Sequence, residues 1–173
     1  MSIMPEELRG QAAGLVESFA DKGKVIATAE SCTGGMIAAG LTDIAGASSV
    51  LDRGFVTYSN AAKTEMIGVP TALIEAHGAV SEAVARAMAE GALAASRADV
   101  ALSVTGIAGP GGGSVAKPVG LVHLALASRR GTTHRMERFG DVGRAEVRLQ
   151  TVALAYAMLG EWLAAQEPAA TGP

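Results

Sequence analysis

Ala27-Thr28-Ala29-Glu30-Ser31-Cys32-Thr33-Gly34-Gly35 is the stretch on which the fold of this chain turns. The apolar run from Lys24 to Ala29 has the length and composition of a buried strand, and it stops at a glutamate, a serine and two glycines. Met36, Ile37, Ala39, Leu41 and Ile44 then recur at helical spacing, so the stretch predicts a strand that turns a corner into a helix. Gly34 and Gly35 are expected in the first turn of that helix, where each costs about 1 kcal/mol against alanine and leaves room for a neighbour or a ligand. The first N–H groups of a helix lack intrahelical partners and lie at the positive end of its dipole. Ser31 at such a corner is a candidate nucleophile.

Outward from the corner, strands and helices alternate. Upstream, Pro5 and two glutamates predict a helix start, and Leu8, Ala12, Leu15 and Phe19 give the helix one apolar line that ends near Gly23. Downstream, Val50 to Tyr58 contains a strand, and Ser59-Asn60 caps a short helix that carries Lys63 and ends at Gly68. Pro70 opens a second short helix ending at Gly78, and Ser81-Glu82 opens a longer one. Asp99 to Val104 is another buried strand, and the glycine-rich run from Gly106 to Pro118 is a loop at its end. Val119 to Ala127 and Thr133 to Phe139 pair as a hairpin, and Asp141 caps a final helix. The expected fold is a single α/β domain, layered α/β/α, with a mixed, mostly parallel sheet over residues 1–166 and a mobile tail at 167–173. Ligands of such folds sit beyond the strand ends, where the corner and the glycine loop fall.

Composition narrows the function. With 14 basic and 17 acidic residues among 173, the formal charge of −3 offers no basic face for nucleic acid. Cys32 is the only cysteine, so no intrachain disulfide forms. No apolar run approaches the ~18 residues of a membrane span, and no basic, then apolar, leader opens the chain. A cytoplasmic protein is expected, in contact with neither membrane nor nucleic acid. Aromatic residues make up 3% of the chain, which predicts closely packed layers of small side chains.

A serine needs a base to take its proton, and a desolvated lysine with a lowered pKa can be that base. Ser31 and Lys63 are therefore the pair to examine, against the alternative of a helix cap and a solvated charge. Tyr58 either orients the lysine or simply packs on its strand. Cys32 is a rival nucleophile if the helix N-terminus lowers its pKa, and a core residue if not. Glu30 either contacts a substrate, holds the lysine or serves the helix start. His77, His123 and His134 fall in no partner motif and suggest no metal site. The glycine loop lacks the Gly-Lys-Ser/Thr ending of a P-loop, and a strand rather than a helix follows its Gly-x-Gly-x-x-Ala string, which argues against a dinucleotide fingerprint. Its N–H groups, with Lys117, form either an anion-binding nest or a plain wide turn.

Taken together and in this order, four groups of residues resemble the C-terminal domain of the competence/damage-inducible protein CinA. They are Ala29 to Gly35, then Tyr58-Ser59-Asn60 with Lys63 and Gly68-Val69, then Gly78 to Ser81, then Thr105 to Gly113 with Lys117 to Gly120. The similarity runs from about Leu8 to Leu163. It implies hydrolysis of nicotinamide mononucleotide to nicotinic acid mononucleotide and ammonia, in pyridine nucleotide salvage. It places the nucleophile on Ser31 and its partners on Lys63 and Tyr58, and it calls for no metal or organic cofactor. The implied substrate contacts are Glu30, Thr33, Gly34 and Gly35 at the corner, Asn60 after the second strand, and Thr105, Gly106, Gly109, Gly111, Gly112, Gly113 and Lys117 on the glycine loop. N–H groups from Cys32 to Gly34 would hold the oxyanion. The N-terminal domain of longer members is not matched. A nucleotide-sensing domain without turnover is the alternative, and a homo-oligomer fits the small-residue helix faces.

Overall fold

The computed structural model describes residues 4–166. The tail expected to be mobile lies outside these residues. In chain order the elements are α1 (Glu6–Asp21), β1 (Ile26–Glu30), α2 (Met36–Thr42), a 3-10 turn (Ala47–Ser49), β2 (Leu51–Val56), α3 (Asn60–Ile67), α4 (Thr71–His77), α5 (Glu82–Ala94), β3 (Val100–Gly106), β4 (Leu121–Ser128), β5 (Gly131–Arg138) and α6 (Arg144–Ala164).

The five strands form one sheet in the order β2-β1-β3-β4-β5. β1 pairs parallel with β2 and β3, whereas β4 pairs antiparallel with both β3 and β5. Only β4 therefore runs against the other four, and the sheet is mixed and mostly parallel. β1 is buried along its whole length, as a central strand covered on both faces must be.

Alternation along the strands sends different residues to the two faces. Ile26, Val100, Leu102, Val104, Val122 and Leu124 pack with Leu8, Phe19, Leu41, Val152 and Leu159, so α1, α2 and α6 cover one face with large side chains. The opposite face is nearly all alanine. Ala27, Ala29 and Ala101 meet Val84, Met88 and Ala92 of α5, while Ala125 and Ala127 meet Ala85 and Ala89. α3 and α4 pack beside α5 on this face through Ile67 and Ile74. The close layers expected from the composition are realised here: a Cβ on Gly91 of α5 would run into the Ile67 carbonyl of α3.

The register brings three strand ends together. Glu30 lies beside Val56 of β2 and Val104 of β3, and the ladder runs one residue further on each side. The Thr57 N–H donates to the Glu30 carbonyl at 2.9 Å, and the Ser31 N–H donates to the Val104 carbonyl at 3.0 Å.

At the corner the structure corrects the sequence reading. Gly34 and Gly35 precede α2, with φ of +61° and +96°, a left-handed backbone that L side chains rarely adopt. The helix begins at Met36, and Gly35 at its N-cap has no side chain to cap it. Glu30 serves instead. Its buried carboxylate accepts the N–H groups of Gly35 (3.1 Å), Ile37 (3.0 Å) and Ala38 (2.9 Å) and the Thr33 hydroxyl (2.7 Å). Opposite charge at the positive end of the helix adds to these bonds. The expected Asp141 cap also fails: α6 is preceded by Gly143 and has no side-chain cap.

A test of this arrangement is Glu30→Gln, which keeps the shape but sets an NH2 group against amide donors. About 3 kcal/mol of stability should be lost, read as a lower urea midpoint with an unchanged slope.

Candidate active site

Lys63 stands one turn into α3. Ser59 caps that helix by accepting the Ala62 N–H at 3.0 Å, and Gly68 ends it in the left-handed conformation. The cap fixes the helix's entry beside the end of β2, and the face carrying Lys63 and Ile67 turns inward. The lysine side chain is 1% exposed. Its Nζ donates to the Thr57 carbonyl at 2.8 Å and lies 3.2 Å from Ser31 Oγ.

Among the described residues no carboxylate lies within ion-pair distance of Lys63. Burial removes the water that would stabilise an ammonium, and it holds the lysine pKa below its ordinary value. A neutral amine with its lone pair free can accept a proton from a hydroxyl in contact with it. Ser31 is partly exposed and is that hydroxyl.

The same physical ground weighs against the rival nucleophile. Cys32 is 5% exposed, and burial pushes its thiol up to about 12, so it stays protonated near neutral pH. Its sulfur packs where a Cβ on Gly106 would come within 3.1 Å, which accounts for the glycine at the end of β3.

The other expected site residues make the following contacts. Glu30 and Thr33 are buried in the α2 cap, so of the alternatives for Glu30 the structure shows the one that serves the helix start. Tyr58 is 59% exposed, and its hydroxyl accepts from Arg144 Nη2 at 2.8 Å; the lysine is oriented by the Thr57 carbonyl next to it. Asn60 lines a shallow groove of about 400 Å³ between α3 and α4 with Thr64, Thr71 and Glu75, apart from the serine. The buried Thr105 hydroxyl donates to the Ala79 carbonyl at 2.9 Å and ties β3 to the start of α5. Lys117 Nζ donates to the His77 carbonyl at 2.6 Å, anchoring the glycine loop to the end of α4. Gly109 is buried in the loop, Gly106 lies at its base, and Gly111, Gly112 and Gly113 are exposed at its tip.

Two arginines of α6 join these parts. Arg148 Nε and Nη2 donate to the carbonyls of Cys32 (3.1 Å) and Thr33 (2.8 Å), bracing the corner. Arg144 Nη1 donates to the Gly109 carbonyl at 3.1 Å while Nη2 holds Tyr58. The corner, the β2–α3 segment and the glycine loop are thus tied to one helix. The sequence signal was a spacing of four in the first turns of a helix, which puts both guanidinium groups on one face.

The backbone donors at the corner divide in two. The Gly34 N–H is taken by the Ser31 carbonyl at 3.0 Å and the Gly35 N–H by Glu30. The N–H groups of Cys32 and Thr33 have no oxygen acceptor among the described residues and lie beside the Cys32 sulfur. Both donate only to that sulfur, a weak acceptor.

The histidines have a partner motif after all. His123 Nδ1 and His134 Nε2 are 2.9 Å apart across the hairpin, with the rings stacked, and His134 Nδ1 lies 3.5 Å from Glu82 of α5. Eleven residues separate them in sequence, so only the β4–β5 register brings them together. Among the described residues no group of three or more His, Cys, Asp or Glu is placed to hold a metal ion, and no helix is long and apolar enough to cross a membrane.

The model of the CinA C-terminal domain matches residues 9–163. A CinA-like protein of Anaeromyxobacter dehalogenans is 58% identical over 118 residues, 68% of this chain and 29% of that protein. A CinA-like protein of Syntrophus aciditrophicus is 48% identical over 160 residues, 92% of this chain and 37% of its own length. The chain thus matches about a third of the length of such relatives. Among solved structures, a competence/damage-inducible protein of Agrobacterium tumefaciens superposes with a TM-score of 0.91 at 54% identity, covering 93% of this chain and 98% of that one. A CinA superfamily protein of Klebsiella pneumoniae gives 0.87 at 35% identity, over 91% and 98%.

The histidine pair makes stability depend on pH. Burial is the first cause holding both rings below the ordinary histidine pKa, and Lys117 and the neighbouring ring add to it at His123. Unfolded histidines, with pKa about 6.5, then bind protons that the folded pair refuses. Stability present above that value is lost as pH falls through it. Urea midpoints should drop between about pH 7.5 and 5.5, and His134→Ala should shrink the drop.

Proposed function

The chain belongs to the CinA C-terminal domain family, and we propose that it hydrolyses the carboxamide of nicotinamide mononucleotide to nicotinic acid mononucleotide and ammonia. The observation that carries the reading is the contact between Ser31 Oγ and the buried, carboxylate-free Lys63 amine.

In this mechanism neutral Lys63 takes the Ser31 proton as Oγ attacks the amide carbon. The negative charge that develops on the carbonyl oxygen meets the N–H groups of Cys32 and Thr33, which exchange the weak thiol acceptor for an oxyanion, a contribution of about 3 kcal/mol per donor. The lysine ammonium then gives its proton to the departing nitrogen, the C–N bond breaks, and ammonia leaves an acyl-serine. The neutral amine next takes a proton from water, which attacks the ester and frees the acid; Lys63 returns that proton to Ser31. Tyr58 is exposed, with its hydroxyl held by Arg144. The exposed glycine loop is where the ribose phosphate is received, so that its binding energy orients the ring amide against Ser31.

Ammonia release from nicotinamide mononucleotide tests the proposal. Ser31→Ala and Lys63→Ala should each lower kcat by about 10²-fold or more, with Cys32→Ala retaining activity. Because the free amine is the active form, kcat/KM should rise with pH to a plateau, through a limb lying below the ordinary lysine range. A wild-type protein that binds the nucleotide but releases no ammonia would point instead to a sensing domain.

A further inference from the structure

The immediate surroundings of Lys63 leave one hydrogen-bond donor over. Lys63 Nζ lies 3.2 Å from Ser31 Oγ and donates one N–H to the Thr57 carbonyl; in the neutral amine that acts as base, the lone pair takes the Ser31 side, which leaves one N–H. After proton transfer the ammonium has three N–H groups. One points back toward Ser31 Oγ, one stays on the Thr57 carbonyl, and again one is left.

The same place holds one hydroxyl without a partner. Thr57 is fully buried, and its Oγ1 makes no hydrogen bond. Unpaired buried hydroxyls are uncommon and costly, so one at a site invites an explanation. Its direction follows from the strand. Thr57 continues the β2 ladder through its N–H to Glu30, and its side chain shares a face with that of Phe55, two residues earlier. Phe55 packs in the cluster that holds Ala29 and Ile67, on the face covered by α3. Lys63 and Ile67 are the buried residues of that helix.

We propose that Thr57 is a positioning residue for Lys63: its hydroxyl accepts, directly or through one water, the Nζ–H that neither Ser31 nor the Thr57 carbonyl takes. The carbonyl and the hydroxyl of one residue would then hold two of the three N–H groups of the ammonium and aim the third at the serine. A rotation about χ1 to another staggered well, or a single bridging water, completes the contact. This inference rests on the Ser31–Lys63 pair acting as nucleophile and base. It extends that reading by naming what keeps the ammonium stable, and correctly directed, in a site without a carboxylate.

The experiment follows Ser31 labelling by a fluorophosphonate probe as a function of pH, alongside ammonia release, in wild type, Thr57→Val, Thr57→Ser and Thr57→Ala. The probe reports the serine and its base whatever the natural substrate is. Thr57→Val removes an acceptor that favours the charged lysine. The pH limb of labelling should therefore move to lower pH, and the plateau rate should fall about tenfold. Thr57→Ser should restore both, because it returns the hydroxyl. If Thr57→Val does not fold by circular dichroism, Thr57→Ala carries the same test, with the limb again moving down. An unmoved limb and plateau in a folded variant overturns the proposal, as does failure of folded Thr57→Ser to restore them. If wild type releases no ammonia while the labelling profiles shift as expected, the amidase reading falls and the role of Thr57 stands.

Discussion

The site depends on keeping a buried carboxylate and a buried amine apart. Glu30 and Lys63 are both about 1% exposed, and Glu30 immediately precedes the serine that Lys63 touches. If they paired, the lysine would be held as an ammonium by a nearby opposite charge and could accept no proton. The carboxylate is instead consumed by the amides that open α2 and by the Thr33 hydroxyl. Lys63 is left with a carbonyl and a hydroxyl, both neutral, and its charge is disfavoured. One carboxylate thus builds the corner on which the serine sits without disturbing the base beside it.

The rest of the fold supports that separation. Parallel pairing on both sides of β1 brings the ends of three strands to one edge, so Ser31, Thr57 and Thr105 converge although they are far apart in the chain. The alanine-lined face lets α5 come close to the sheet, and α3 packs against α5 where Gly91 gives room. A larger residue at Gly91 would lift α3 and with it Lys63, so a helix-to-helix contact well away from the serine helps set the distance between nucleophile and base. On the other face α6 does the equivalent task for the corner, through Arg148 on two carbonyls of the turn and Arg144 on the glycine loop.

Much of this was legible in the sequence, because local chemistry and periodicity are written in consecutive residues. The apolar run before Glu30, the Ser59 cap, Gly68 at the end of α3 and the paired apolar runs of the last hairpin identified the elements in order. A strand ending at a serine, and a helix carrying a lysine, marked the two chemical groups. Tertiary structure alone decided what those groups meet. Which of the alternatives open for Glu30 applies, and what Tyr58, Thr105 and Lys117 touch, could not be read in advance because each side chain finds its partner through packing. Arg144, Arg148 and the histidine pair were overlooked for the same reason, with partners 35 and 115 residues away for the arginines. The lowered basicity of Lys63 likewise comes from burial, a property of the folded layers that no window of sequence contains.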